Sequence, residues 1–338
     1  MKSEGRQVPS PPLPGERARV RGLARHWSLV TLVVLFIAFP LAAKHWHQVF
    51  YVGFATRILI YALAVTSLNL ILGFGGMVSF GHAAFFGVVA YTVSILMEEG
   101  IASAWVSCPL AVLVSALFAL AIGAVSLRTR GVYFIMITLA FAQMIYYLSV
   151  SLRAYGGEDG LTLRTRSRLG MGVDLSNDVT FYYLALGILA AGLYLMRRLL
   201  DARFGQVIQA IRENETRMEA IGFPVYRYKL ICFVIAGAAA GLAGALIANQ
   251  NSFVSPTLLQ WTQSGTLMVM AILGGVGYLW GGVLGALVFL VLEEVLSAYT
   301  IYWQLGVGMV LLAVVLYARN GLAGVLARLL PAGSAQHG

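Results

Sequence analysis

Charge is what this chain has least of. Of its 338 residues, 11% are Asp, Glu, Lys or Arg, where a soluble domain carries about 25%. A single core wrapped in a charged, water-facing surface is excluded, and 59% of the residues are hydrophobic instead. Cysteine is nearly absent. Cys108 and Cys232 lie in or beside apolar runs without metal-ligand spacing, so both read as small buried hydrophobes rather than bridge or metal partners. There is no Gly-x-x-x-x-Gly-Lys-Ser/Thr loop, so ATP hydrolysis is not expected of this chain. HExxH, Gly-x-Ser-x-Gly and Cys–His clusters are missing too, which leaves a membrane enzyme without a catalytic set. No metal or other cofactor is expected. The net charge of +9 does not argue for nucleic acid, because its placement matters more than its size.

What is present is hydrophobic length. About twenty apolar residues cross a bilayer, and ten runs qualify: 27–43, 52–72, 77–97, 104–126, 132–150, 181–196, 230–248, 262–279, 282–298 and 302–318. The fold class is therefore all-α, a polytopic membrane protein of about ten transmembrane helices. The break between the eighth and ninth runs is the least defined, since 274–285 is apolar throughout. No Asp or Glu falls in the middle of the first eight runs, and only Glu293 and Glu294 in the ninth depart from this. An ion-driven relay needs such groups, so a proton- or sodium-coupled secondary transporter is the weaker alternative.

Residues 1–26, rich in Pro, Arg and Gly, read as a disordered tail. The first run has a basic flank but no small-residue cleavage site, so it is expected to stay as a span rather than leave as a signal. The transmembrane domain is placed at 27–318 and a second tail at 319–338. Most of the 23 basic residues fall on one side of this topology: six from Lys2 to Arg25, then Arg128 and Arg130, those from Arg197 to Lys229, Arg319 and Arg328. The positive-inside rule puts both termini in the cytoplasm. The loop 151–179 is then outside, and the loop 197–229 is inside. His45 and His47 flank Trp46 at an outer interface and read as interfacial.

The inner loop holds a charged island in an otherwise apolar chain. Across 204–222, Phe204, Val207, Ile208, Ile211, Met218 and Ile221 recur near a 3.6-residue period, and Arg212, Glu213, Glu215, Arg217 and Glu219 fill the remainder. One apolar face and one charged face suit a helix that docks a partner. An amphipathic connector lying on the bilayer surface is the alternative.

Inside the membrane, Ile71-Leu72-Gly73-x-x-Gly76-x-x-x-x-Gly81 recurs as Ile272-Leu273-Gly274-x-x-Gly277-x-x-x-x-Gly282, at a constant offset of 201 residues. Paired Gly-interrupted segments in corresponding halves point to a transporter's substrate path through broken helices. With 37 glycines in the chain, chance or plain helix packing is the alternative. The candidates for the path are Asn69, Gly73, Gly75, Gly76, Ser79, His82, Gln143, Gly274 and Gly277. Ser79 and His82 are polar groups at membrane depth, and their three-residue spacing predicts one shared helix face. A histidine that only bonds a neighbouring helix is the alternative. Asn69 and Gln143 read as interhelical hydrogen-bonding groups that also suit a path.

These segments together resemble the high-affinity branched-chain amino acid permeases, the membrane subunits of bacterial ATP-binding-cassette importers. The resemblance rests on LNLILGFGGMVSFGHAAFFG at 68–87, GVYF at 131–134 with LAFAQ at 139–143, and GGEDGL at 156–161. AIRENE at 210–215, AIG at 220–222, YKL at 228–230 and GGVGYLWGG at 274–282 continue it. It covers roughly residues 50–325 and is similar to the longer, M-type subunit of the leucine, isoleucine and valine system. It implies a second permease subunit, two cytoplasmic ATPase subunits, a periplasmic substrate-binding protein and a place in the bacterial inner membrane. It also implies that 204–222 couples to the ATPase, with Ile208, Ile211, Arg212, Glu213, Asn214, Glu215 and Gly222 as the coupling residues. Near relatives carry urea, short amides or aromatic acids, so the cargo is open. The basic cluster at 164–168 has no place in the family pattern.

Overall fold

A computed structural model describes residues 40, 49–101, 103–163, 166–167, 175–318 and 321–329. The expected span 27–43 (Pro40 excepted), the tail 1–26, His45, His47, Arg164 and Arg168 lie outside the described residues. In chain order the helices are α1 (Val49–Asn69), α2 (His82–Glu98), α3 (Ala104–Ser126), α4 (Val132–Ser151), α5 (Asp178–Asp201) and α6 (Arg203–Glu213). They continue as α7 (Glu215–Ala220), α8 (Val225–Asn251), α9 (Trp261–Gly274), α10 (Gly281–Tyr299), α11 (Trp303–Tyr317) and α12 (Gly321–Leu329). Each apolar run from 52–72 onward falls on one of these helices. A segment in hydrocarbon must satisfy its backbone within itself, which a helix does.

Six described helical stretches are long and apolar enough to cross a membrane, while α2 and α11 are shorter apolar helices. The poorly defined break is resolved: α9 ends at Gly274 and α10 starts at Gly281. Part of the segment read as a tail is ordered, since Gly321–Leu329 is helical and packs on α9 and α10.

The bundle has a centre and a rim. Inside the most apolar stretch of α1, 83% of residues are buried, and 61% in α8, against 22% in α4 and 28% in α3. α1 packs on α5, α8, α9 and α10, and α8 packs on α1, α2 and α3. The rim helices turn large apolar side chains outward, among them Leu113, Leu117, Met136, Tyr147, Met309 and Leu312. In a bilayer that surface is stable against lipid or another membrane subunit.

Small residues set the close approaches, as expected where lipid removes most of the hydrophobic driving force between helices. A Cβ on Gly237 would stand 2.5 Å from Ala119 Cβ, and one on Gly241 would stand 2.6 Å from Ser115 Cβ. The Ser115 hydroxyl donates to the Gly237 carbonyl at 2.8 Å. Phe233 of α8 then meets Phe85 of α2 and Phe134 of α4 edge-on.

Loops on alternate sides of the bundle meet each other. At one end, Arg130 after α3 pairs with Glu219 of α7 at 2.8 Å. At the other, β1 (Leu161–Thr162) pairs antiparallel with β2 (Phe253–Val254), joining the segments that follow α4 and α8. Arg166, from the unplaced basic cluster, is a staple there. It pairs with Asp178 at 2.7 Å, donates to the Asn249 and Leu175 carbonyls, and lies over the Phe181 ring.

The packing predicts a contrast between two glycines. Gly241→Leu forces α3 away from α8 and should lower thermal stability of the purified chain by the roughly 1–3 kcal/mol or more that overpacking costs. A Cβ added to Gly187 on α5 would meet nothing within 4 Å, so Gly187→Leu should melt like the wild type in the same fluorescence-monitored unfolding experiment.

Candidate functional site

Two interrupted helices meet at the end of the bundle that carries Arg130 and Lys229. α1 does not stop cleanly at Asn69 but widens into a π-helical turn, Leu70–Phe74. The chain leaves that turn through Gly76 at φ +67, a conformation that costs glycine nothing. Gly75 N–H donates to the Leu70 carbonyl (3.0 Å) and Met77 N–H to the Ile71 carbonyl (2.8 Å), so the first two carbonyls of the turn are satisfied. The second interruption follows α9. Gly275 and Gly277 take φ +116 and +85, and α10 begins four residues later at Gly281.

Asn69 clamps the two interruptions together. Its Oδ1 accepts from Gly277 N–H at 2.9 Å, and its Nδ2 donates to the Tyr278 carbonyl at 2.8 Å. Both ends of one buried amide are thus spent on backbone groups of the second interruption, the Tyr278 carbonyl accepting from Gly281 N–H as well. Gly73 must be glycine here: a Cβ would sit 2.5 Å from Gly277 N and 2.9 Å from Gly277 Cα. Gly274 faces the Gly281 carbonyl, with Gly285 N 2.7 Å from its absent Cβ, and so lets α9 and α10 close on each other. The two copies of the glycine pattern are therefore both helix breaks, packed one against the other.

The charged island reaches into this junction. α6 buries Ile208 and Ile211 against the bundle, and Phe204 stacks on Tyr228 of α8 at 5.6 Å. From its last turn, Arg212 donates Nη1 to the Gly73 carbonyl in the π-helical turn. Its Cγ lies 2.9 Å from where a Gly76 Cβ would be, and Nη1 lies 3.6 Å from the same position on Gly277. One side chain of the amphipathic helix therefore touches both interruptions.

The island is two helices rather than one. Asn214 is extended (φ −155, ψ 97), and its Oδ1 caps α7 by accepting from Arg217 N–H at 2.9 Å. Asn favours caps over helix interiors for this reason. The turn redirects α7, and Ile221, expected on the apolar face, is 65% exposed. Glu213, Thr216, Arg217 and Gly222 are exposed with it. Glu215 faces inward instead, held by Lys229 at 2.6 Å and Arg130 at 3.4 Å. Gly222, at φ +94, closes the turn toward α8.

Ser79 and His82 do not share a helix face. Ser79 lies in the loop before α2, where its hydroxyl accepts from Gly81 N–H at 3.2 Å. His82 opens α2, and its Nε2 lies 2.8 Å from the Ser67 hydroxyl of α1. Ser67 spends its own proton on the Ala64 carbonyl (2.6 Å), so Nε2 is the donor and Nδ1 is left without a partner. Both Ser79 and His82 are fully buried. One of the first N–H groups of α2 is served from another helix, Ser264 of α9 accepting from Ala83 N–H at 2.8 Å. Gln143 is half-buried on α4 and takes no part in the junction. Sequence reasoning missed Ser67, Arg130, Ser264 and Tyr278. Only Arg130, a charge beside an apolar run, carried a visible signal.

Removing the clamp tests the junction directly. Asn69→Ala takes the partner from Gly277 N–H and leaves the Tyr278 carbonyl with Gly281 N–H alone. It should cost roughly 1–3 kcal/mol and raise amide exchange of 275–281 and 70–77 above that of α8, read by mass spectrometry.

Known proteins extend the picture. A family model described as the permease component of branched-chain amino acid transport systems matches residues 50–318. The chain is 29% identical to the high-affinity branched-chain amino acid transport system permease protein LivM of Salmonella typhimurium, over 87% of this chain and 74% of that protein. Identity to LivM of Escherichia coli is 28% over the same shares. A xylose transport system permease protein of Haemophilus influenzae is 32% identical over 41% of this chain and 40% of its own length. No solved structure matches. With its multi-pass apolar helices and a family match across most of its length, the chain belongs to the branched-chain amino acid transport system permease family.

Proposed function

We propose that this chain is one membrane subunit of an ATP-driven importer that carries branched-chain or related amino acids inward across the bacterial inner membrane. ATP is hydrolysed by two separate cytoplasmic subunits, a second permease subunit completes the path, and a periplasmic protein delivers the cargo. The end of the bundle that holds α6, α7 and Arg130 is the cytoplasmic one, as the clustering of Lys and Arg supports, and both termini lie there.

The observation that carries this reading is Arg212. The exposed face of α7, with Arg217, and Ile221 just after it are offered to the ATPase. Behind it, the Glu215 ion pairs tie α7 to α8 and to the segment between α3 and α4, and Arg212 ties α6 to the π-helical turn. A π-turn is a common functional irregularity of helices. Closure of the ATPase pair would move α6 and α7, and Arg212 would pass the displacement to both interruptions. For ATP to shift the permease at all, its subunits must bind the two permease states unequally. Gly73, Gly75, Gly76, Gly274 and Gly277 form the hinge in this reading, while Ser79, His82 and Gln143 are path groups that become wet in only one state. Cargo choice rests with the binding protein, so urea, short amides and aromatic acids remain within the class.

Three outcomes test it. In liposomes with the co-encoded partners, Arg212→Ala should cut ATP-dependent leucine uptake by roughly tenfold or more, about 1.4 kcal/mol of coupling, while the ATPases still co-purify. Ile221→Asp should instead weaken that co-purification. Undiminished uptake by Arg212→Ala would remove the transmission role. For the path, Ser79→Cys and His82→Cys, in a chain with both native cysteines replaced, should react with a small charged thiol reagent in a nucleotide-dependent way. Uptake without labelling in any state would leave both as packing groups.

A further inference from the structure

The three helices that build the junction also line a half-open cavity toward their other ends. It measures about 190 Å³ and lies between α1, α9, α10 and the start of α11. Its polar side holds Arg57, Tyr61, Gln263, Thr266 and Glu293, and its apolar side holds Met270, Phe289, Leu290 and Trp303. Tyr61 is twelve residues from Gly73, Gln263 eleven from Gly274 and Glu293 twelve from Gly281. At 1.5 Å per residue these three side chains stand about 16–18 Å from the junction.

We propose that this cavity is a transient binding site for a zwitterionic α-amino acid with an apolar side chain. The proposal rests on the importer reading above and gives the cargo a place within this subunit. Arg57 and Glu293 face each other at 3.4 Å, well beyond the roughly 2.7–2.9 Å of a good charge-assisted hydrogen bond. The two charges balance without being tightly bonded. An α-amino acid carries the complement of both: its carboxylate fits the planar guanidinium of Arg57 and its ammonium fits the Glu293 carboxylate. Entry replaces one loose pair with two close ones, and neither charge is left unpaired.

The surroundings favour this exchange. Arg57 is steered by the Tyr61 ring, 5.7 Å below its guanidinium. The Tyr61 hydroxyl accepts from Gln263 Nε2 at 3.0 Å, which leaves its own proton for the ligand's carboxylate. The four apolar side chains line the wall where an aliphatic side chain would lie. Cavities for drug-sized ligands run about 300–1,000 Å³, so this smaller one selects a small solute. Arg57 also lines a larger recess of about 500 Å³, rimmed by Arg166, Asp178 and Glu294, which gives a polar approach from the outer end. Because α1, α9 and α10 form both the cavity and the junction, a shift at Arg212 moves the walls of the site.

The test is protection of a cysteine placed in the cavity. Thr266→Cys is made in a chain with Cys108→Ala and Cys232→Ala, assembled with its partners in liposomes. Modification by a small charged thiol reagent is timed without ATP and without the binding protein. L-Leucine should slow it several-fold. Leucinol, which lacks the carboxylate, and 4-methylpentanoate, which lacks the ammonium, should not. The double variant Arg57→Gln/Glu293→Gln removes both charges together, so no lone charge threatens folding, and it should abolish protection. Equal protection by all three compounds, no protection by leucine, or protection surviving in the double variant would overturn the site. ATP-dependent leucine uptake with the binding protein is measured on the same liposomes. Uptake without protection sinks only the cavity, whereas absence of uptake sinks the importer reading itself.

Discussion

Backbone that leaves a helix inside a membrane has to find partners among protein groups, because lipid offers none. That constraint acts on this fold at one place above all, where 70–77 and 275–280 interrupt their helices at the same end of the bundle. Asn69 meets it for the second interruption, and Arg212 and the π-helical turn meet it for the first. Once those partners are in place, much else is determined. Gly73 and Gly277 must be near contact, α9 and α10 must close through Gly274 and Gly285, and α6 must lie against the bundle rather than on a membrane surface.

The partner of the interrupted backbone is also the tip of the charged island. A purely structural solution would use a buried amide at both breaks, as Asn69 does at one. Here the last turn of α6 supplies an arginine instead, so the stability of the π-helical turn depends on the position of a helix packed at the end of the bundle. α1 makes this consequential, because it is the most buried of the six described spans and contacts α5, α8, α9 and α10. A rigid central helix with a yielding turn at one end and the Arg57 cavity toward the other is suited to carry displacement along its length.

Much of this was legible in the chain. The apolar runs mark the helices because twenty residues without charge have few alternatives in a bilayer. The two glycine patterns mark the breaks because glycine alone takes φ +67 and +85 at no steric cost. The period of Ile208 and Ile211 marks the buried face of α6. Legibility failed where a side chain's role depends on what faces it. Asn214 reads as one more polar residue on a helix, yet it caps a new one and turns Ile221 outward. The spacing of Ser79 and His82 implies a shared face only if both are helical, and the helix starts at His82. Arg166 reads as surplus charge until Asp178 and Asn249 come within reach.

By itself the sequence determined that this is a membrane-embedded helical protein, where its helices break, and which family it resembles. These properties follow from local quantities: hydropathy over about twenty residues, backbone freedom at single glycines, and short runs of fixed order. Only the tertiary structure decided that the two breaks touch, that Asn69 and Arg212 serve them, and that Arg57 and Glu293 share one cavity. Those contacts join residues 139 to 236 positions apart. No local preference encodes such distances. They are set by which helices pack side by side, and that depends on the small residues that let backbones approach.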